Sequence, residues 1–106
     1  MQEGGLRFSE NISIANPPLV SVITVVYNSE QLIERTLRSV ANQTVKNIEH
    51  VIIDGASKDQ TLALVKSFPN GVAYWLSERD NGIYDAMNKG IEKANGSYLI
   101  FLNSGD

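Results

Sequence analysis

Leu19–Val26, LVSVITVV, is apolar and β-branched almost throughout. A run without polar alternation suits a strand covered on both faces, as in a parallel sheet between helical layers. Tyr27-Asn28-Ser29 breaks it. Asn28 and Gln31 make a capping-box-like pair, and Ile33, Leu37, Val40 and Ala41 recur at helical spacing, which predicts a helix over 30–42. The cycle then repeats. Ile48–Asp54 (IEHVIID) reads as a second strand ending in a carboxylate, and Gly55-Ala56 as a turn. Ser57 with Gln60 signs a second helix start, over about 58–68, with Leu62, Val65 and Phe68 inward. Val72–Ser77 (VAYWLS) reads as the third strand. Ile83, Ala86, Met87, Gly90, Ile91 and Ala94 trace one face of a third helix, closed by Asn95-Gly96. Tyr98–Leu102 reads as a buried fourth strand running into the polar turn Asn103-Ser104-Gly105-Asp106.

Strands alternating with helix-length crossovers predict an α/β fold: a Rossmann-like three-layer sandwich with a mostly parallel four-stranded sheet flanked by helices. Residues 1–18, which hold Gly4-Gly5 and end at Pro17-Pro18, read as a leader, and 19–106 as one domain.

Composition narrows the function classes. The chain has 106 residues, 42% hydrophobic and 20% charged, as in an ordinary globular domain. A net charge of −3 without a basic run gives no footprint for a nucleic-acid partner. With no cysteine there is no disulfide framework, thiolate metal site or thiol nucleophile. No apolar run reaches the ~18–20 residues of a membrane span, and the N-terminus has no signal-type apolar core. The expected location is cytoplasmic, so the sequons at Asn11 and Asn95 carry no weight.

In open α/β sheets, ligands sit beyond the carboxyl ends of the strands. The turn after the first strand lacks G-x-G-x-x-G; no glycine occurs between Leu6 and Gly55, which argues against a dinucleotide fold. Tyr27 either offers its ring to a base or packs on the next helix. Asp54 either accepts hydrogen bonds from a base or ribose, or caps its turn. In Glu78–Gly90, ERDNGIYDAMNKG, the residues Tyr84, Asp85 and Asn88 fall off the core face and are free for polar contacts. Asp106 alone is a weak Mg²⁺ or Mn²⁺ ligand, adequate only if a bound diphosphate supplies further oxygens. His50, alone within a strand, reads as structural.

Together, SVITVVYN (21–28), LIERTLRSVANQT (32–44), EHVIIDGASKDQT (49–61) and ERDNGIYDAMNKGIEKANGSYLIFLNSGD (78–106) resemble the inverting family 2 glycosyltransferases, of GT-A fold, that build bacterial surface polysaccharides. The resemblance implies that Val26 and Tyr27 line the nucleotide base and that Asp54 hydrogen-bonds it. It implies that the Asp80–Asn88 stretch, through Asp80, Asp85 and Asn88, closes over the ribose and diphosphate of a UDP- or GDP-sugar. The terminal turn stands where the family carries Asp-x-Asp, but Asn103 and Gly105 replace two carboxylates, so only Asp106 is expected to hold Mg²⁺ or Mn²⁺.

The implied reaction transfers the sugar to a saccharide or lipid-linked acceptor, with the full enzyme peripheral at the inner face of the membrane. The family's catalytic base lies downstream of the metal motif, so no catalytic residue is assigned here and the chain alone is expected to be inactive. Its last strand is expected to leave an apolar edge through which copies self-associate. The competing reading is a non-catalytic nucleotide or nucleotide-sugar binding module. A receiver-like domain is disfavoured, because Tyr27-Asn28 stands where such a domain clusters acidic residues.

Overall fold

The computed structural model describes residues 1–8, 18–42, 47–68 and 71–102. The turn Asn103–Asp106, and with it the cation assignment of Asp106, lies outside the described residues, as do Pro17 and the Asn11 sequon.

The elements in chain order are β1 (Gln2–Gly4), β2 (Val20–Val26), α1 (Ile33–Ala41), β3 (Ile48–Asp54), α2 (Thr61–Lys66), β4 (Tyr74–Ser77), α3 (Ile83–Lys93) and β5 (Tyr98–Phe101); a short 3₁₀ turn spans Leu6–Phe8. The sheet order is β1-β4-β3-β2-β5, with every pairing parallel except β1 against β4. The α/β architecture is therefore the expected one, with five strands in the sheet rather than four. The additional strand comes from the segment read as a leader. Leu6 and Arg7 donate backbone hydrogen bonds to Val72 and Ala73, at 3.0 and 2.9 Å, and extend the attachment.

Strand alternation sorts the core into two layers. On one face Val26, Ile52 and Trp75 pack with Ile33 and Leu37 of α1 and Val65 of α2. On the other, Ile23, Val51, Ile53, Tyr74 and Leu76 pack beneath Ala86 of α3. The lower end of the sheet is tied by Glu49, a buried carboxylate that accepts from Ser21 Oγ (2.6 Å), the Asn95 backbone N–H (2.6 Å) and Arg7 Nη2 (2.8 Å). A buried carboxylate is tolerable only when so partnered.

Three sequence expectations need correction. β5 is not buried: Tyr98, Leu99, Ile100 and Phe101 are 39–65% exposed, and this edge strand pairs only with β2 among the described strands. The inward arc of α3 is narrower than its apolar positions. Ala86 and Gly90 are buried, while Ile83 and Ile91 are exposed. Finally, Asn28 and Ser57 do not cap helices. The N-cap residues Leu32 and Gln60 make no side-chain cap bond, the first N–H of α2 (Thr61) is accepted by Asp59 Oδ1 at 2.9 Å, and Asn28 and Ser57 bridge loops instead.

Candidate functional site

The register sets the ends of three strands at one level: Val26 lies opposite Asp54, and Asp54 opposite Ser77. The loops 27–32, 55–60 and 78–82 therefore leave the sheet along one edge. The strand order reverses beside β2, which is where open α/β sheets form their ligand crevice.

Asp54 organises that edge from beneath. It is fully buried, and its Oδ2 accepts from Ser77 Oγ (2.7 Å) and the Ser57 backbone N–H (3.1 Å). Its Oδ1 accepts from Ser57 Oγ. The same Ser57 hydroxyl accepts the Asn28 backbone N–H at 2.8 Å, and Asn28 Oδ1 accepts the Lys58 N–H at 2.8 Å. Ser29 N–H donates to Thr61 Oγ1 (2.7 Å), and Gln60 N–H to Glu30 Oε2 (3.2 Å). Side chains of each loop thus satisfy backbone groups of the other. Asn28 (φ 47°) and Ala56 (φ 61°) hold left-handed backbone, a conformation that side chains disfavour and that persists where surrounding bonds fix it.

Above this lattice opens a cleft of about 350 Å³, lined by Val25, Val26, Tyr27, Asp80, Gly82 and Ile83. Tyr27 is exposed and offers its ring; Asp80 approaches from the loop before α3. Asp80 Oδ1 accepts the Gly82 N–H at 3.1 Å. Asp85 turns back onto its own helix start and accepts the Asn81 N–H at 2.9 Å, a bond that, with nearby Lys89, holds its carboxyl below the ordinary range. Lys89 Nζ reaches Glu78 (3.2 Å), Asp85 (3.5 Å) and the Arg79 carbonyl (3.1 Å). Burial opposes its charge, but these anions more than offset that and raise its pKa.

Of the residues singled out from sequence, Val26, Tyr27 and Asp80 meet in the cleft, and Asp54 lies beneath them with its oxygens already engaged. Asp85 anchors the start of α3, and Asn88 is exposed one turn further along; neither lines the cleft. Ser77, Gly55 and Gly82 were not singled out. For Ser77 a signal existed: a hydroxyl ending an otherwise apolar strand. Among the described residues, no group of three or more acidic or histidine side chains is placed to hold a metal ion. The described part of the site does not by itself fit a divalent cation.

An open cleft at the carboxyl edge of a mostly parallel sheet, walled by an aromatic ring and a carboxylate, stands where α/β domains of this class place their ligands. The profile of "Glycosyl transferase family 2" matches residues 21–106, and the chain belongs to that family. It is 46% identical over 94 residues to the "Uncharacterized glycosyltransferase MT1564" of Mycobacterium tuberculosis, covering 88% of this chain and 36% of that protein. It is 36% identical over 92 residues to a "PGL/p-HBAD biosynthesis glycosyltransferase" of Mycobacterium bovis, covering 84% and 36%. The chain thus spans about a third of the length of these curated relatives.

Among solved structures, S. aureus TarS 1-349 in complex with UDP-GlcNAc superposes with a TM-score of 0.74 at 32% identity, over 82% of this chain and 26% of that one. The mannosyltransferase PcManGT from Pyrobaculum calidifontis, in complex with GDP-Man and Mn²⁺, gives 0.72 at 26%, over 84% and 28%. The fold is GT-A. No helix among the described residues is long and apolar enough to cross a membrane.

Proposed function

We propose that this chain is the donor-binding portion of an inverting glycosyltransferase that moves a sugar from a UDP- or GDP-sugar to a saccharide or lipid-linked acceptor in cell-surface polysaccharide biosynthesis. The observation that carries this is the cleft in which Tyr27 and Asp80 converge at the ends of β2 and β4. The UDP-GlcNAc and GDP-Man complexes of the structural neighbours support the donor class. In this reading Val26 and Tyr27 bound the base, and Asp80 accepts from ribose or base donors. Asp54 meets the base once a Ser57 bond is given up. Asp85 and Asn88 close over the ribose and diphosphate as the loop before α3 moves, and Asp106 holds Mg²⁺ or Mn²⁺ only beside a bound diphosphate.

Displacement at the anomeric carbon needs a base for the acceptor hydroxyl. No residue of this chain is assigned that role, and the chain alone is expected not to transfer sugar. The location proposed for the enzyme is cytoplasmic, peripheral at the membrane's inner face.

The second reading is a non-catalytic nucleotide or nucleotide-sugar binding module that needs no metal, and Asn103 and Gly105, which stand where the family carries carboxylates, favour it. Calorimetric titration with UDP and GDP, with and without Mn²⁺, separates the two. Metal-dependent binding that is lost in Asp106→Ala supports the enzyme portion; equal binding with and without Mn²⁺ supports the module.

A further inference from the structure

We propose that Gly55 is a specificity-determining residue of the cleft: lacking a side chain, it lets the Asp80 carboxylate lie across the end of β3, beside Tyr27, where it selects the hydrogen-bond donors of a nucleoside. This rests on the nucleotide-binding reading and deepens it.

A Cβ added at Gly55 would stand 2.8 Å from Asp80 Oδ2 and 3.6 Å from Tyr27 Cδ1. The first distance is shorter than a non-bonded contact tolerates, so the carboxylate occupies space that only glycine leaves open. Backbone conformation does not demand glycine here, because positive φ among the described glycines is confined to Gly5 and Gly82. The position is also fixed: the Gly55 N–H donates to the Val26 carbonyl at 2.9 Å. Asp80 is held from its other side, where Oδ1 accepts the Gly82 N–H. The bond that Asp80 makes among the described residues uses Oδ1, which leaves Oδ2 without a described partner, and the Asp80 side chain lines the cleft.

An anionic acceptor in that position repels a diphosphate and attracts hydroxyl or imide N–H groups, so the nucleoside end of a ligand belongs on the Tyr27–Gly55 side. An alanine at 55 would push aside only the outer oxygen of a side chain, which spares the fold and spoils the acceptor.

The test is a binding cycle with UDP on four versions of the chain: wild type, Gly55→Ala, Asp80→Ala and the double variant. Gly55→Ala should weaken UDP binding on the order of ten-fold, the loss of one hydrogen bond to a charged group. The double variant should bind as Asp80→Ala does, within about two-fold, because Gly55 acts only through Asp80. Gly55→Ala binding like wild type, or losses that multiply in the double variant, would overturn the proposal. Should Gly55→Ala fail to fold, the double variant, relieved of the clash, must fold and match Asp80→Ala; a further loss there overturns it equally. No binding by folded wild type overturns the nucleotide reading itself, and this inference with it. Repeating the cycle with 2′-deoxy-UDP separates the donors. A smaller Gly55→Ala loss on the deoxynucleotide points to the ribose and an equal loss to the base, and either supports the role of Gly55.

Discussion

Asp54 is the residue on which the polar interior of the site turns. A carboxylate with no exposure must have its charge met by hydrogen bonds, and Ser57 and Ser77 meet it. Ser77→Ala removes one donor and is expected to lower unfolding free energy by about 1–2 kcal/mol in urea denaturation, with Ser77→Thr recovering most of the loss. His50 gives a second residue-scale prediction. It is buried in β3, shares a 2.7 Å hydrogen bond with Thr24 Oγ1, and its Nδ1 has no partner among the described residues. Burial pushes its pKa down from 6.5 to about 4. The unfolded chain therefore takes up a proton below pH 6.5 that the folded chain refuses until about pH 4. Stability is full above pH 6.5 and falls as pH drops through this window, by an upper limit of about 3 kcal/mol from the shift. Denaturant midpoints of wild type and His50→Leu compared between pH 7 and pH 4 should diverge by that dependence; parallel curves would exclude it.

At the scale of elements, α3 lies close to the sheet because Ala86 and Gly90 are small. A Cβ at Gly90 would stand 2.4 Å from Ile23 Cγ2 and 3.5 Å from Ile53 Cγ1. Gly90→Ala is expected to cost about 1–3 kcal/mol, read by chemical denaturation. The segment after β1 is secured by Arg7 on buried Glu49. Arg7→Ala should destabilise by about 2–3 kcal/mol, below the range for a fully buried pair because Arg7 is partly exposed. Breaking the exposed Glu34–Arg38 pair of α1 should cost about 0.5 kcal/mol or less. These two elements also mark what the sequence discloses. β2 and β3 announce themselves by their β-branched apolar runs, Val22–Val26 (broken only by Thr24) and Val51–Ile53, as strands covered on both faces do. β1, Gln-Glu-Gly, has no such pattern. It is placed by tertiary contacts alone, with Gly4 so close to Trp75 that an added Cβ would meet the indole at 2.7 Å. β5 reads like β2 yet is exposed, because an apolar run reports what a strand is made of and not whether anything covers it. In the site, Tyr27 and Asp80 were legible as chemistry at strand ends. Gly55 was not, because its role depends on what stands opposite it in space, and Ser77 was signalled only by a hydroxyl closing an apolar strand.

For the whole molecule, the exposed apolar strand β5 sits at the edge beside β2 with its outer backbone groups unpaired among the described strands. Such an edge invites another strand. We expect copies of this chain to associate through it: sedimentation should show mass rising with concentration, and Leu99→Lys with Phe101→Lys should return a monomer. A wild-type chain that stays monomeric at high concentration would contradict this. The central claim, however, concerns the opposite use of the sheet, its carboxyl edge as a nucleotide site. Backbone amide NMR shifts followed during UDP and GDP titration test it most directly. The account predicts perturbations gathered at 26–28, 54–57 and 80–85, the ends of β2, β3 and β4 and the start of α3. Shifts centred on Arg7, Glu49 and Asn95 at the other end of the sheet, or no shifts with either nucleotide, would contradict it.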